Sequence, residues 1–283
     1  MQEQWLINEL MEWTTRFFAD RGLEEPRLEA EVLLAHVLLQ NRVYLYTHFD
    51  KPVNQEERQQ FRELIKRRMK GEPLAYIVGH KEFMSLEFKL NQAVLIPRPE
   101  TELLVEETLE IAQGKEGLRI CDVGTGSGAI AVSLAFYLPT ARIYASDISG
   151  EALAIARDNA ARHGVTVSFY QGDLLFPLVN EEPFDIIVAN LPYIPKEEFL
   201  ILDSGVKNYE PSLALLAPGD GLDIYRRLLP QAAALLAAGG YLLLEIGHEQ
   251  GQKGQEMMRG FGETEVIKDL AGRERLLKSR REQ

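Results

Sequence analysis

The fold of this chain is decided by the stretch Leu118-Arg119-Ile120-Cys121-Asp122-Val123-Gly124-Thr125-Gly126-Ser127-Gly128. Its first six residues form a short, mostly apolar run, which is typical of a buried parallel strand. Three glycines at alternate positions follow, and the apolar segment that starts at Ala129 predicts a helix. An α/β sheet binds nucleotides with this order of strand, glycine loop and helix, because a backbone without Cβ atoms can approach the ligand closely.

The glycine spacing and the preceding acid indicate which kind of nucleotide would bind. The loop reads G-x-G-x-G, whereas dinucleotide sites use G-x-G-x-x-G. Asp122 precedes the loop, and a carboxylate there would repel a phosphate but suit a cation. S-adenosylmethionine is cationic, nucleoside-based and free of phosphate, and its ammonium can pair with Asp122 directly or through water. The alternative is a glycine-rich turn in an unrelated α/β protein.

Two further acids follow predicted strands, where ligands of such sheets bind. Asp147 follows the strand predicted over 142–146, and we expect it to bind the ribose hydroxyls. Asp173 would accept a hydrogen bond from the adenine amino group, with Leu174 against the ring; alternatively it caps a turn. The predicted cofactor-binding residues are Asp122, Gly124, Thr125, Gly126, Ser127, Gly128, Asp147, Ile148, Asp173, Leu174 and Asn190.

Composition narrows the class of protein. The 283 residues suit one large or two modest domains, with 46% hydrophobic and 26% charged residues. The net charge of −12 argues against broad binding to nucleic acid, which needs a basic surface. The basic run over 66–70 is either a local docking patch or a complement to a helix dipole. The single cysteine, Cys121, predicts a packed core thiol in a reducing compartment.

No targeting or membrane segment is predicted. The first residues show no basic segment followed by an apolar one, so we expect no secretory signal. No apolar run reaches the length of a membrane span. We therefore expect a cytoplasmic protein that acts away from membranes, holds no metal and, by default, is a monomer.

The N-terminal half predicts a small helical domain and a connecting hairpin. Residues 4–40 read as two amphipathic helices, and a third helix runs from the cap Asn54 to about Lys70. Residues 76–79 and 83–90 read as strands joined by a turn at 80–81. We predict a helical domain over 1–73, a β-hairpin linker over 74–94 and a cofactor-binding domain over 95–283.

The C-terminal half alternates strands and helices, which predicts a doubly wound, mostly parallel sheet. Strands are predicted over 118–123, 142–146, 165–170, 184–189 and 241–246, and helices over 128–137, 151–163 and 222–237. Residues 263–270 and 274–278 read as a hairpin that forms an antiparallel edge. The predicted fold class is therefore α/β, a Rossmann-like sheet with an antiparallel C-terminal edge and a helical N-terminal domain.

The tetrapeptide Asn190-Leu191-Pro192-Tyr193 ends the fourth strand and indicates the chemistry. A planar nitrogen is a poor nucleophile, and to be methylated it must point its lone pair at the sulfonium methyl. The Asn190 side-chain oxygen and the Leu191 carbonyl can accept its two N–H groups, Pro192 stiffens the loop, and Tyr193 can pack on the planar group. Methyl transfer then depends mostly on positioning. The alternative is a proline-containing turn.

A stiff segment precedes the cofactor loop. Two prolines hold residues 95–102 extended, and Pro99 can open the next helix. We expect Arg98 and Glu100 in this segment to cover the active site and contact the substrate. The alternative is a plain domain linker.

The chain resembles the bacterial release factor glutamine methyltransferases, the PrmC/HemK family, nearly end to end. Asn-Pro-Pro-Tyr-type tetrapeptides mark methyltransferases that act on planar nitrogens. The most specific matches are the segment Ile96-Pro97-Arg98-Pro99-Glu100-Thr101-Glu102 and the helical N-terminal domain; further matches lie at 71–79, 122–128, 147–149, 210–215, 219–222 and 245–247.

This resemblance implies a class I methyltransferase fold with S-adenosylmethionine as cofactor. It also implies methylation of the side-chain amide nitrogen of the glutamine in the Gly-Gly-Gln loop of peptide chain release factors. By the same resemblance, residues 124–128, Asp147, Leu174 and Asn190 line the cofactor, and residues 190–193 hold the glutamine. The N-terminal helices would help to bind the release factor, and an association with the ribosome is compatible with this substrate.

One departure from the family keeps an alternative open. The family usually has proline where this chain has Leu191, which adds an N–H that needs a partner. Asn-Leu-Pro-Tyr also resembles the rRNA adenine dimethyltransferases, so an adenine-nitrogen methyltransferase acting on rRNA or DNA is the alternative. That reaction would need a flipped base and a basic surface. A non-catalytic module that binds release factors or ribosomes would instead predict a broken Asn190 or glycine loop.

Overall fold

The computed structural model describes residues 5–282, so the predicted helix start at Gln4 lies outside the described residues. The described chain divides into two compact units, one ending at Gly79 and the other beginning at His80. This division falls inside the stretch predicted as a hairpin linker over 74–94. The hairpin itself forms, and it belongs to the second unit.

The first unit is helical, as predicted, and adds a short two-stranded ribbon. Its elements are β1 (Trp5–Leu6), α1 (Ile7–Ala19), α2 (Pro26–Val37), α3 (Arg42–Thr47), β2 (Pro52–Val53), α4 (Gln55–Met69) and α5 (Leu74–Val78). The Asn54 side chain accepts a hydrogen bond from the Glu57 N–H at 2.9 Å, and the Glu57 carboxylate accepts one from the Asn54 N–H at 2.8 Å. This capping box begins α4. The side chains of Phe18, Leu33 and Leu45 are fully buried in the core of this unit.

The prediction of a strand over 76–79 was wrong, because these residues belong to α5 and its C-cap. Tyr76, Ile77 and Val78 are all buried, and a short apolar run buried on every side does not distinguish strand from helix. The hairpin consists instead of β3 (His80–Phe83) and β4 (Leu86–Lys89). Its turn lies at Met84 and Ser85, both with positive φ, and not at 80–81 as predicted.

The basic run at the end of α4 is paired within its own unit. Arg67 forms an ion pair with Glu72, Arg68 with Glu29, and Lys66 with Glu63. These cations also lie in the last turn of the helix, where they complement its dipole. The pairing favours the structural explanation of the run over a docking patch.

The second unit contains the predicted sheet. Its other strands are β5 (Arg119–Val123), β6 (Arg142–Asp147), β7 (Val167–Gln171), β8 (Phe184–Ala189), β9 (Leu236–Glu245), β10 (Thr264–Lys268) and β11 (Glu274–Arg280). Seven strands of the described chain form one sheet in the order β10-β11-β9-β8-β5-β6-β7. Strands β5 to β9 pair in parallel, and β10 and β11 form the antiparallel edge. The predicted fold class is confirmed.

The second unit also contains helices. They are α6 (Glu102–Ala112), α7 (Ala129–Tyr137), α8 (Gly150–Arg162), α9 (Lys196–Ile201), α10 (Ser204–Tyr209), α11 (Asp223–Leu235) and α12 (Gly251–Met257). Of these, α6, α7, α8, α11 and α12 pack on the sheet. The sequence interpretation missed α9, α10 and α12, which are too short to show a helical period. Cys121 lies fully buried in β5, and burial raises the pKa of its thiol. It is therefore a packed core residue, as predicted.

The order of the strands determines where a ligand can bind. The chain leaves β5 to form β6 and β7 on one side, and then returns to form β8 on the other side. Loops after β5 and β8 therefore diverge and leave a crevice at the carboxyl ends of these neighbouring strands, as at the switch point of other doubly wound sheets.

Candidate active site

A cavity of about 440 Å³ opens at the carboxyl ends of the parallel strands, within the second unit. Its volume falls within the range of roughly 300–1,000 Å³ that small-molecule sites occupy. Residues that follow four successive strands line it, together with the segment before α6. The predicted site residues among them are Arg98, Gly124, Gly126, Ser127, Asp147, Ile148, Asp173, Leu174, Asn190, Leu191 and Pro192.

The glycine loop is held open by backbone geometry. The N–H groups of Gly124 and Thr125 donate to the Ser146 carbonyl at 2.8 and 3.0 Å. Gly126 has φ +56°, and a Cβ atom built there would have no described atom within 4 Å. Because Gly126 also lines the cavity, the loop leaves room for a ligand against its backbone.

Asp122 lies beneath the loop and does not line the cavity. Its side chain is fully buried, and its Oδ2 accepts hydrogen bonds from the Thr125 hydroxyl at 2.6 Å and the Ala131 N–H at 3.2 Å. Within residues 5–282 no group hydrogen-bonds its Oδ1. Asp122 therefore holds the loop to the start of α7, and a direct ion pair between its carboxylate and a ligand in the cavity is not supported.

We expect Asp122 to make stability depend on pH. Burial raises the pKa of Asp122 to about 7, so between its ordinary value and 7 the folded state keeps a proton that the unfolded chain has lost. The stability due to this group is therefore present at low pH and lost as pH rises through about 7. Burial also raises the pKa of Glu245 to about 7, so the stability due to this group is likewise lost as pH rises.

We expect the free energy of unfolding of the wild type to fall as pH rises from about 5.5 to 8. Asp122→Asn should make this fall smaller, by up to about 1.4 kcal/mol for each pH unit below 7. Urea unfolding across this range measures the slope, and wild type is the control. An unchanged slope would mean that Asp122 is ionised throughout.

Asp147 stands at the tip of β6 and faces the cavity. Its Oδ2 accepts from the Gly126 N–H and its Oδ1 from the Ser149 N–H, both at 2.8 Å. Burial raises the pKa of this carboxyl, and the backbone N–H groups oppose that effect. The neighbouring Ile148 is 55% exposed and also lines the cavity. An acid held by backbone N–H groups beside an exposed apolar side chain suits a ribose next to a base.

Asp173 lines the cavity, but its carboxylate already has a partner. Arg227 of α11 forms an ion pair with it, and both side chains are partly exposed. Leu174 is buried beside it, with φ +53°. The predicted contact between Asp173 and an adenine amino group stays a prediction, because the carboxylate would have to bind the base while it is paired with Arg227.

The tetrapeptide after β8 divides between the cavity and the protein interior. Asn190, Leu191 and Pro192 line the cavity, whereas Tyr193 does not; its hydroxyl lies 3.5 Å from Glu245 Oε1. The Leu191 N–H, which a proline would lack, donates to the Tyr225 hydroxyl at 3.1 Å. The departure from the family's usual proline is therefore compensated by a fully buried tyrosine of α11.

The stiff segment reaches the cavity through Arg98 and Thr101, while Glu100 is exposed and does not line it. Arg98 is paired with Glu210, whose buried carboxylate also accepts the Ile96 N–H at 3.1 Å. Thr101 accepts a hydrogen bond from the Asn190 side-chain amide at 3.1 Å. Sequence reasoning missed Thr101 and Glu210, although both lie in stretches that carry the family resemblance.

Known proteins match this chain over nearly its whole length. A family model described as the PrmC N-terminal domain matches residues 9–79, and one described as a methyltransferase domain matches residues 114–264. The release factor glutamine methyltransferase of Geobacter sulfurreducens is 42% identical over 98% of both chains. That of Moorella thermoacetica is 48% identical over 95% of this chain and 96% of its own. The chain belongs to the release factor glutamine methyltransferase family.

Solved structures agree on the fold of this family member. A methyltransferase from Pyrococcus furiosus aligns with a TM-score of 0.54 at 18% identity, over 80% of this chain and 99% of its own. A 16S rRNA methyltransferase from Thermus thermophilus, solved in complex with AdoMet and guanosine, aligns with a TM-score of 0.53 at 20% identity, over 71% of this chain and 49% of its own. At these identities the likeness concerns the fold alone.

The site of this family member fits S-adenosylmethionine. The cavity offers a glycine loop that leaves open space at Gly126, an acid at the tip of β6 and an apolar neighbour for a base. Among residues 5–282, no group of three or more His, Cys, Asp or Glu side chains could hold a metal ion. No helix in the described part of the chain is long and apolar enough to cross a membrane.

Proposed function

We propose that this chain transfers a methyl group from S-adenosylmethionine to the side-chain amide nitrogen of the glutamine in the Gly-Gly-Gln loop of peptide chain release factors. One observation carries the proposal: the open glycine loop and the two acceptors of Asn190 and Leu191 line the same cavity. Relatives named for this activity match the chain over nearly its full length.

In this proposal the loop after β5 and the acid after β6 hold the cofactor. Residues 124–128 place their backbone against it, and Asp147 accepts hydrogen bonds from its ribose hydroxyls. The two N–H groups that already bind Asp147 fix its carboxylate before the cofactor arrives. When bound, S-adenosylmethionine supplies an electrophilic methyl group. Asp122 supports the loop from below and meets the ammonium at most through water.

Asn190 and Leu191 orient the substrate. The Asn190 Oδ1 and the Leu191 carbonyl accept the two N–H groups of the glutamine amide, so that its nitrogen lone pair faces the methyl group. The nitrogen bonds to the methyl carbon as the carbon–sulfur bond breaks, the sulfur keeps the electron pair, and the nitrogen then releases one proton to water. No strong base is required, because the nitrogen becomes acidic as it bonds to carbon. Positioning is the main contribution of the protein.

The N-terminal unit and the charge support a protein substrate over a nucleic acid. A model of the PrmC N-terminal domain matches residues 9–79, and we infer that this unit helps to bind the release factor. The net charge of −12 disfavours the adenine alternative, which would require a basic surface. A cytoplasmic enzyme that acts as a monomer, with or without the ribosome, fits this role.

Transfer of labelled methyl from S-adenosylmethionine tests the proposal. The substrates are purified unmethylated release factor, the same factor with its loop glutamine replaced by alanine, and naked rRNA. We expect label on the first alone. Equal label on both would remove the loop glutamine as the target, and label only on naked rRNA would establish the adenine alternative.

We expect Asp147→Asn to weaken cofactor binding. The variant keeps the size of the side chain but loses the charge that strengthens its hydrogen bonds to the ribose. Because hydrogen bonds to charged groups contribute about 1.5–3 kcal/mol, the Kd for S-adenosylmethionine should rise roughly 10- to 150-fold. Isothermal titration calorimetry measures it. The exposed Asp158→Asn, on the neighbouring helix, serves as the control and should leave the Kd unchanged. Equal affinities in the wild type and Asp147→Asn would show that Asp147 does not contact the cofactor.

A further inference from the structure

The Asn190 side chain can serve as an acceptor only if its amide is turned the right way. The oxygen and nitrogen of an amide have similar shapes, so packing alone does not decide which one faces the substrate. The Asn190 Nδ2 donates to the Thr101 hydroxyl at 3.1 Å. Thr101 is only 4% exposed and ends the short 3-10 turn Pro99–Thr101 at the cavity wall.

A buried carboxylate lies behind Thr101. Glu245 ends β9 and is 1% exposed. Its Oε1 lies 3.5 Å from the Tyr193 hydroxyl, and within residues 5–282 its buried Oε2 has no hydrogen-bond partner. The Thr101 side chain favours the ionised form of this carboxylate. Tyr225 donates its hydroxyl proton to the Glu245 backbone carbonyl. Arg275 and Glu100 are the other charged groups that act on this carboxylate. Glu245 therefore sits in a polar group that the steps of methyl transfer do not use.

The number of protons in this group determines the direction of each hydrogen bond. An ionised carboxylate only accepts, and a hydroxyl has a single proton to donate. If Thr101 donates its proton to Glu245, the Thr101 oxygen can only accept from Asn190. We propose that Thr101 donates its proton to the unpartnered Oε2 of Glu245 and is thereby the positioning residue that turns the Asn190 Oδ1 toward the substrate amide. This inference rests on the proposed function.

This arrangement links the rate of methyl transfer to the ionisation of Glu245. Burial raises the pKa of Glu245 to about 7, and the Thr101 side chain opposes this effect. Below that pH the neutral carboxylic acid of Glu245 can donate its proton to the Thr101 oxygen. The Thr101 hydroxyl can then donate its own proton to the Asn190 Oδ1, which turns the amide around. The rate of methyl transfer should therefore rise with pH through about 7.

The test compares Thr101→Val with Thr101→Ser, using single-turnover methyl transfer to release factor. Valine keeps the shape but removes the hydroxyl, so kcat should fall about 10- to 100-fold, while the Kd for S-adenosylmethionine changes less than about threefold. Serine restores the hydroxyl and should keep kcat within about threefold of wild type. Circular dichroism and unfolding midpoints confirm that both variants are folded.

Glu245→Gln provides a second readout, because an amide can donate to Thr101 at every pH. We expect a lower kcat and a flat pH profile in this variant, and the same loss of pH dependence in Thr101→Val. A pH dependence that persisted in both variants would assign the titration to another group, such as Asp122, and overturn the link to Glu245.

The outcomes separate this inference from the proposed function. If wild type transfers no methyl to the loop glutamine, the proposed function fails before Thr101 is tested. If wild type is active and Thr101→Val is equally active, the positioning role of Thr101 is overturned and the proposed function stands. Equal losses in Thr101→Val and Thr101→Ser would likewise overturn it, because serine retains the hydroxyl.

Discussion

Asn190→Ala should lower kcat for methylation of release factor by about 10²- to 10³-fold, the loss seen when one positioned hydrogen-bonding group of an active site is removed. The Asn190 oxygen is one of the two acceptors that hold the glutamine amide in the proposed mechanism. Without it the amide can rotate, and its nitrogen lone pair no longer faces the methyl group. Single-turnover kinetics at saturating S-adenosylmethionine measure the effect on the transfer step.

The control for this variant is Asn180→Ala, which removes the same group from an exposed position between β7 and β8. Its kcat should equal that of wild type. We expect the Kd of Asn190→Ala for S-adenosylmethionine to change by less than about tenfold, because the glycine loop and Asp147 remain. If kcat of Asn190→Ala stayed within threefold of wild type, Asn190 would have no part in holding the glutamine.

Gly128→Ala should destabilise the second unit by about 3 kcal/mol, for two physical reasons that add. Gly128 has φ +81°, a conformation that costs an L-residue about 1–2 kcal/mol. A Cβ atom there would also lie 3.0 Å from the Ala156 Cβ and 3.2 Å from its Cα, so helix α8 would have to move. The midpoint of thermal unfolding should fall by roughly 6–12 °C.

Gly126→Ala is the matched control, two residues earlier in the same loop. It carries a similar backbone strain at φ +56°, but its Cβ would meet no described atom within 4 Å. We expect a smaller loss of stability, of about 1–2 kcal/mol, together with weaker cofactor binding, because the new methyl group would face the cavity. Equal losses of stability in the two variants would show that contact with Ala156 adds nothing.

Local patterns in the sequence were sufficient to predict the sheet and part of the site. Strand β5, its glycine loop and α7 are continuous in the chain, so their order alone specifies a nucleotide-binding turn. Asp147, Asp173 and Asn190 each follow a parallel strand, and parallel strands bring their carboxyl ends to one edge. These residues meet at the cavity because of topology, which the alternation of strands and helices makes predictable.

The sequence was less informative where a short apolar run could be buried in more than one way. Residues 76–79 were predicted as strand because Tyr76, Ile77 and Val78 are β-branched or aromatic, but these three residues belong to α5. All three are buried, and a short run buried on every side suits a helix as well as a strand. The short helices α9 and α10 were missed because six residues are too few to show a period.

By itself, the sequence determined the family, the doubly wound sheet and the groups that meet at its edge. Only the tertiary structure showed that Asp122 is buried beneath the glycine loop and does not line the cavity, that Arg227 pairs with Asp173, and that Tyr225 binds the Leu191 N–H. It also placed Thr101 and Glu245, which are 144 residues apart in the chain, behind Asn190. The physical reason is that the direction of a side-chain hydrogen bond depends on partners from distant elements, whereas periodicity and turn chemistry depend on neighbours along the chain.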